Sequence, residues 1–119
     1  MVNYVFDNGK AILASGSAGS VEIPWNATPL SWDFMANLSG SLSVDVRRST
    51  YANWGGPPAA SASIVGSEKP TITTAFKGQD TNLTTWSGIS AGNVLNFHID
   101  AVPTNITKAT LSITMRKTS

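Results

Sequence analysis

Apolar and polar residues alternate strictly along the last quarter of the chain. Leu95, Phe97 and Ile99 alternate with Asn96, His98 and Asp100; Ala109, Leu111, Ile113 and Met115 alternate with Thr110, Ser112, Thr114 and Arg116. A period of two puts one set on a buried face and the other in water, which predicts two half-buried antiparallel strands. Pro103 and Asn105 suit a turn between them, so the pair reads as a hairpin. Its inward residues are the expected core, and the small outward row Thr110, Ser112 and Thr114 suits packing against another subunit.

The same period recurs upstream. Tyr4 and Phe6 oppose Val5, and Asp7-Asn8-Gly9 is a hairpin-turn signal with a return strand expected over Lys10–Ala14. Ser15–Ser20 reads as a flexible loop. Val21, Ile23 and Trp25 alternate around Pro24, which demotes this stretch to an edge strand or strand end. Leu30, Trp32, Phe34 and Ala36 form a strand, Asn37–Gly40 a turn, and Leu42, Val44 and Val46 the return arm of a second hairpin. From Ser49 to Ser63 the pattern lapses among glycines, prolines and small residues, and so long a stretch without period is functional, packed over a core edge, or mobile. Order resumes at Ile64, Ser67–Pro70 reads as a linker, and Leu83 with Trp86 as a strand end. Helical period is absent throughout. Short strands separated by turn signals predict one all-β domain over residues 1–119, an antiparallel β-sandwich of jelly-roll type.

Composition narrows the function classes. In 119 residues only 13% are charged and the net charge is +1, with Arg47-Arg48 and Arg116-Lys117 the only adjacent basic pairs, so nucleic acid is not an expected partner. Cysteine is absent, which removes disulfides, thiolate metal sites and a cysteine nucleophile together. No apolar run approaches the roughly 20 residues that span a bilayer, and no membrane insertion is expected. The N-terminus lacks the basic start and apolar segment of a signal peptide. A protein made in the cytoplasm, remaining there or leaving by lysis or assembly, is the expectation.

Catalytic chemistry has little support in the sequence. His98 has Asn96 and Asp100 as same-face neighbours, and a histidine beside a carboxylate can be an oriented base. No nucleophile motif accompanies it, so a solvated sheet histidine is the simpler reading. The seven acids are scattered; Asp33 and Asp45 fall on strands expected to be neighbours, yet a glycosidase needs two carboxylates facing one cleft. Asp7-Asn8 and Gln79-Asp80 offer oxygens to calcium without the spacing of a calcium loop. Neither a catalytic residue nor a cofactor is expected. Trp25, Trp32 and Trp86 lie in or at the ends of strands, where burial is the default. Tyr51, Asn53 and Trp54 differ, because they fall in the irregular stretch beside glycines. They are the candidate binding residues: the rings can stack on a sugar while the amide bonds its hydroxyls, or they can pack against the sandwich or a neighbouring subunit. Sequons at Asn26, Asn37, Asn82 and Asn105 reflect a composition in which roughly a quarter of residues are Ser or Thr.

Several motifs stand in a telling order. These are Val21-Glu-Ile-Pro-Trp25, Ser39-Gly-Ser-Leu-Ser-Val-Asp-Val46, Thr50-Tyr-Ala-Asn-Trp54 with Pro57-Pro58, and Lys69-Pro70 with Gln79-Asp80. Leu83-Thr-Thr-Trp86, Ala91-Gly-Asn-Val-Leu-Asn-Phe97 and Leu111-Ser-Ile-Thr-Met-Arg-Lys117 follow. From about Val21 onward the chain resembles a β-domain of tailed-bacteriophage virion proteins, found in tail fibres and minor tail proteins. It departs from that pattern at Arg47-Arg48-Ser49, where relatives carry one basic residue and then an acidic one. The resemblance implies a structural protein of the virion, in a tail appendage or as a capsid decoration. It implies other virion proteins as partners, a homotrimer, attachment to a particle or to a host-surface glycan, and no established catalytic residues. A stand-alone carbohydrate-binding module is the alternative.

Overall fold

The computed structural model describes residues 2–9, 11–100 and 103–118. Six strands carry it: β1 (Val2–Asp7), β2 (Gly16–Ile23), β3 (Ala27–Thr50), β4 (Thr71–Asp80), β5 (Asn93–Ile99) and β6 (Lys108–Lys117). All pairings are antiparallel, and the described residues contain one short 3₁₀ turn, Ala60–Ala62, and no α-helix. The all-β expectation holds: the sheet folds over into a sandwich nearly closed into a barrel.

The spine of the fold is β3. Its first half pairs with β6, from Ala27–Lys117 to Ala36–Ala109, and its second half with β5, from Val44–Ile99 to Thr50–Asn93. A bridge between Ser41 and Thr104 joins the two ladders. Along this edge each step forward in β3 is answered by a step back in its partner, so β5 and β6 behave as one interrupted strand. Their other edge repeats the arrangement, with β1 on β6 (Asp7 opposite Lys108) and β2 on β5 (Gly16 opposite Ile99). The free edge of β3 takes β4. Long strands that bend at a common level form two layers from one sheet. One layer holds β1, β6, β4 and the first half of β3; the other holds β2, β5 and the second half of β3.

Two expected hairpins are corrected by this topology. β5 and β6 do not pair with each other, and the segment between them rounds a corner alongside β3, with Ile106 and Pro103 buried and Asn105 at φ 64°. Alternation specifies which residues face inward; it does not specify the neighbouring strand. Likewise, Asn37–Gly40 is no hairpin turn but the bend of a continuous 24-residue strand. Met35 faces Lys77 and Gly40 faces Ala75, so five steps of β3 answer two of β4, a bulge of the kind that bends strands. The Asn37 side chain donates to Thr107 Oγ1 (2.8 Å) and accepts from Lys108 N (3.1 Å), and an added Cβ on Gly40 would stand 2.0 Å from the Thr104 carbonyl oxygen. Backbone contact with the neighbouring corner therefore replaces a reversal.

Smaller departures have local causes. A bulge between Pro29 and Ser31 turns Leu30 outward, against its expected inward place. Ala11–Ala14 forms no strand, and Lys10 lies outside the described residues; Leu13 is nevertheless buried, its N–H donating to Ile106 O (2.9 Å). The Gly-Ser-Ala stretch expected to be a loop begins β2, because residues this small show no period. β2 is an edge strand that ends before Pro24, as expected. β4 was not predicted, and Leu83–Trp86 is not a strand but a pinned loop.

The core is where alternation puts it. Phe6, Phe34, Leu95, Phe97, Ile99, Leu111 and Ile113 are buried between the layers, with Met115 half-buried beside them. Burying each such side chain is worth about 1.5–3 kcal/mol. Trp32 is buried and Trp86 half-buried, and both indoles donate to the carbonyl oxygen of Glu68, at 3.2 and 2.9 Å. The Glu68 carboxylate in turn accepts from Thr85 N (2.5 Å), Thr85 Oγ1 (2.7 Å) and Thr84 N (2.7 Å). The expected linker at Ser67–Pro70 is thus a fastening that holds the 81–88 loop over the core edge.

Candidate functional site

The Tyr51–Pro58 loop leaves the end of β3. Asn53 N–H donates to Thr50 O and Trp54 N–H to Tyr51 O, both at 3.2 Å. The two overlapping bonds close one tight turn over Thr50–Trp54. Tyr51 is 76% exposed and Trp54 36%, with Asn53 exposed between them. The three candidate residues are thus exposed on one turn, and Tyr51 is not packed over the core.

The tip stands on a fixed base. Arg47 donates through Nε to Asp45 Oδ2 (2.9 Å) and through Nη1 to Pro58 O (3.3 Å). Ser63 Oγ donates to Asp45 Oδ1 at 2.5 Å, and Ile64 N–H donates to Val46 O at 2.9 Å. Asp45 is only 5% exposed, so its charge is balanced by the adjacent guanidinium and hydroxyl rather than by water. The chain that follows the tip is consequently tied back to β3 at Pro58, Ser63 and Ile64. Sequence reasoning missed this anchor, although Asp45 and Arg47 share one face of an alternating strand and so gave a signal.

His98 sits on the same outer face. Register places Ser17, His98 and Asp45 side by side across β2, β5 and β3. The hydrogen bonds run elsewhere: Asp45 serves Arg47 and Ser63, Ser17 Oγ accepts from Asn96 Nδ2 (2.9 Å), and His98 takes no side-chain partner among the described residues. Adjacency alone does not orient a base. Asn96 is 1% exposed and not solvated as expected; its Nδ2 faces Ser17, Gly19 and Ser20, while its Oδ1 has no partner among the described residues. Asp100 forms an ion pair with Lys69.

The acids do not converge. Asp33 and Asp45 lie on one strand but in different layers, not on neighbouring strands as expected. Asp7 Oδ1 accepts from Gly9 N–H (2.8 Å) and Asp80 Oδ1 from Asn82 N–H (2.9 Å), so both candidate calcium corners use an oxygen to close a local turn. Among the described residues no three His, Cys, Asp or Glu side chains are grouped to hold a metal. Comparison with known proteins found no matching family model, no matching curated protein and no matching solved structure.

Proposed function

We propose that the chain is a non-enzymatic virion module of a tailed bacteriophage, part of a tail appendage or a capsid decoration, that makes contact through the Tyr51–Trp54 tip. The exposed aromatic pair, on a turn whose return segment is tied back to β3, carries the binding part of this reading. Aromatic rings supply contact area at small entropic cost, and a base fixed beforehand spares the cost of ordering the loop on binding. The virion assignment rests on the ordered motifs from Val21 to Lys117. In that setting the module works in several copies on a particle assembled in the host cytoplasm. Linked copies gain avidity, since each contact makes the next effectively intramolecular.

The experiment is to label the protein on intact particles and to measure binding of the free chain, with Tyr51→Ala and Trp54→Ala variants, to particles and to host-envelope polysaccharide. Label on the tail or capsid, with particle binding lost in the variants, is the expected result. Absence of label from particles would sink the virion reading. Polysaccharide binding that depends on Trp54, with no label on particles, would identify a stand-alone carbohydrate-binding module. The exposed Tyr51, Asn53 and Trp54 favour that second reading.

A further inference from the structure

The corner after β1 holds a chemistry that the proposed function does not use. Asn8 is the one asparagine in the sequence that a glycine follows. After every other asparagine a side chain crowds any ring closed between the amide and the next backbone nitrogen; Gly9 has none. Asp7, Asn8 and Gly9 are all exposed, Gly9 stands at φ 65°, and a Cβ built on it would meet nothing within 4 Å. Water therefore reaches the corner. The Gly9 N–H donates to Asp7 Oδ1 at 2.8 Å, so the nitrogen already shares its proton with a carboxylate.

We propose that Asn8 is a site of spontaneous deamidation, with the Gly9 nitrogen as nucleophile and Asp7 as base. The Gly9 nitrogen forms a bond to Asn8 Cγ and passes its proton to the Asp7 carboxylate. The bond from Cγ to Nδ2 then breaks; Nδ2 takes up the proton and leaves as ammonia, and a succinimide ring remains. Water opens the ring at either carbonyl. One opening leaves aspartate at position 8, and the other leaves isoaspartate, whose main chain runs through Cγ. The sum is one water consumed and one ammonia released.

Conversion reaches the core through the hydrogen bonds of Asn8. Its Nδ2 donates to Ile12 O (2.8 Å) and its carbonyl accepts from Ala11 N–H (3.1 Å). The segment so held carries buried Leu13, whose N–H donates to Ile106 O (2.9 Å). The new carboxylate sets an oxygen where a donor met the Ile12 carbonyl, and it lowers the formal net charge by one from +1. Isoaspartate also takes the carbonyl of position 8 out of the main chain, so the bond from Ala11 loses its geometry. The proposal goes beyond the proposed function, because it needs no partner.

The full chain is incubated at neutral pH, folded and in urea, beside Asp7→Asn. The acidic form is separated by ion exchange, located by peptide mapping and scored for isoaspartate with an isoaspartyl methyltransferase. Asp7→Asn keeps an acceptor for the Gly9 N–H but is no base. Expected is conversion at Asn8 ahead of every other asparagine, giving both products. Asp7→Asn is expected to react several-fold more slowly than the parent when folded and at nearly the parent's rate in urea. Asn8→Gln, whose longer side chain closes its ring far more slowly, is expected to stay unconverted. In the converted parent the Leu13 amide exchanges faster. A chain that stays intact at position 8, converts first at another asparagine, yields aspartate alone, or converts as fast when folded with Asp7→Asn overturns the proposal. Unchanged Leu13 exchange overturns the link to the core.

Discussion

The Tyr4 ring lies stacked on Phe97, centroids 4.6 Å apart and planes 21° from parallel. Tyr4 belongs to β1 in one layer and Phe97 to β5 in the other, so the contact crosses the sandwich at its open side. The Tyr4 hydroxyl continues the crossing and donates to the Ala18 carbonyl of β2 at 2.7 Å. Ala18 is available because β2 slips register between Ser17 and Gly19, and a bulged residue leaves its ladder. Phe6 meets both rings edge-on, at 4.8 Å from Tyr4 and 6.2 Å from Phe97. One side chain therefore fastens β1 to β2 where no ladder joins them.

Tyr4→Phe keeps the stack and removes the hydroxyl. It is expected to cost about 1 kcal/mol, with the Ala18 carbonyl turning to water. Tyr4→Ala removes the ring as well and is expected to cost about 3 kcal/mol, toward the low end for an aromatic truncation because the site is only half-buried. Burial also raises the phenol above its ordinary value near 10. The neutral phenol is thus favoured in the folded state, so this contribution is intact below the unfolded value and is lost as pH rises through the folded one. Denaturant titrations near neutrality and at high pH check both points, and equal melting of Tyr4→Phe and parent across the alkaline range would contradict the second.

Gly19 makes room for that fastening. An ideal Cβ at Gly19 would lie 1.9 Å from the Tyr4 hydroxyl oxygen, a contact no real pair of atoms makes. Gly19→Ala is expected to destabilise by about 1–3 kcal/mol, as overpacking does. The cost should shrink in a Tyr4→Ala background, and the double-mutant cycle measures the coupling. Equal costs in both backgrounds would show that Gly19 serves the backbone of β2 alone.

The inward rows of the core were legible because alternation directly reports burial: Phe34, Val44, Leu95 and Leu111 all face inward as expected. Strand partnership was not legible. Asn37–Gly40 and Pro103–Asn105 carry turn chemistry, yet each lies against the other's backbone and bends instead of reversing, a relation between segments more than sixty residues apart. Asn96 defeated the alternation rule for a similar reason, since β2 hydroxyls supply the partners that water would. At the candidate site, the break in period located Tyr51, Asn53 and Trp54, but the anchors Asp45, Arg47 and Ser63 are joined only by the folded chain.

Glu68 makes the fold sensitive to acid. The Thr85 backbone N–H, followed by the Thr85 hydroxyl, holds its carboxyl below the usual range against an opposing push from desolvation, with the Thr84 N–H adding to the lowering. A carboxylate depressed in the folded state stabilises at pH above its unfolded value, and that contribution is lost as pH falls through the folded one. Glu68→Gln is therefore expected to melt below the parent near neutrality and to converge with it in acid. Trp32 and Trp86 donate to the Glu68 carbonyl, so tryptophan fluorescence reports the loosening directly. Parallel pH profiles for parent and variant would rule out the role.

Asp45 and Arg47 decide whether the aromatic tip keeps its base. Their side chains are 7% and 11% exposed, so removing one leaves the other charged and largely out of water. Breaking a buried pair in this way costs about 3–5 kcal/mol, and Asp45→Ala is expected at the lower end because Arg47 keeps Pro58 O as an acceptor. Asp45→Asn keeps one acceptor oxygen for Arg47, while its amide N–H can donate to Ser63 Oγ, and should cost less. Arg47→Met is the sharper probe of function: it releases Pro58 and leaves Asp45 bonded to Ser63. If the fixed base matters, Arg47→Met weakens binding at Tyr51 and Trp54 and speeds amide exchange from Tyr51 to Gly56. Tyr51→Ala and Trp54→Ala should leave exchange in the strands and the melting temperature nearly unchanged, because exposed substitutions seldom exceed about 0.5 kcal/mol. Binding that survives Arg47→Met with faster exchange would show that the tip needs no preformed base.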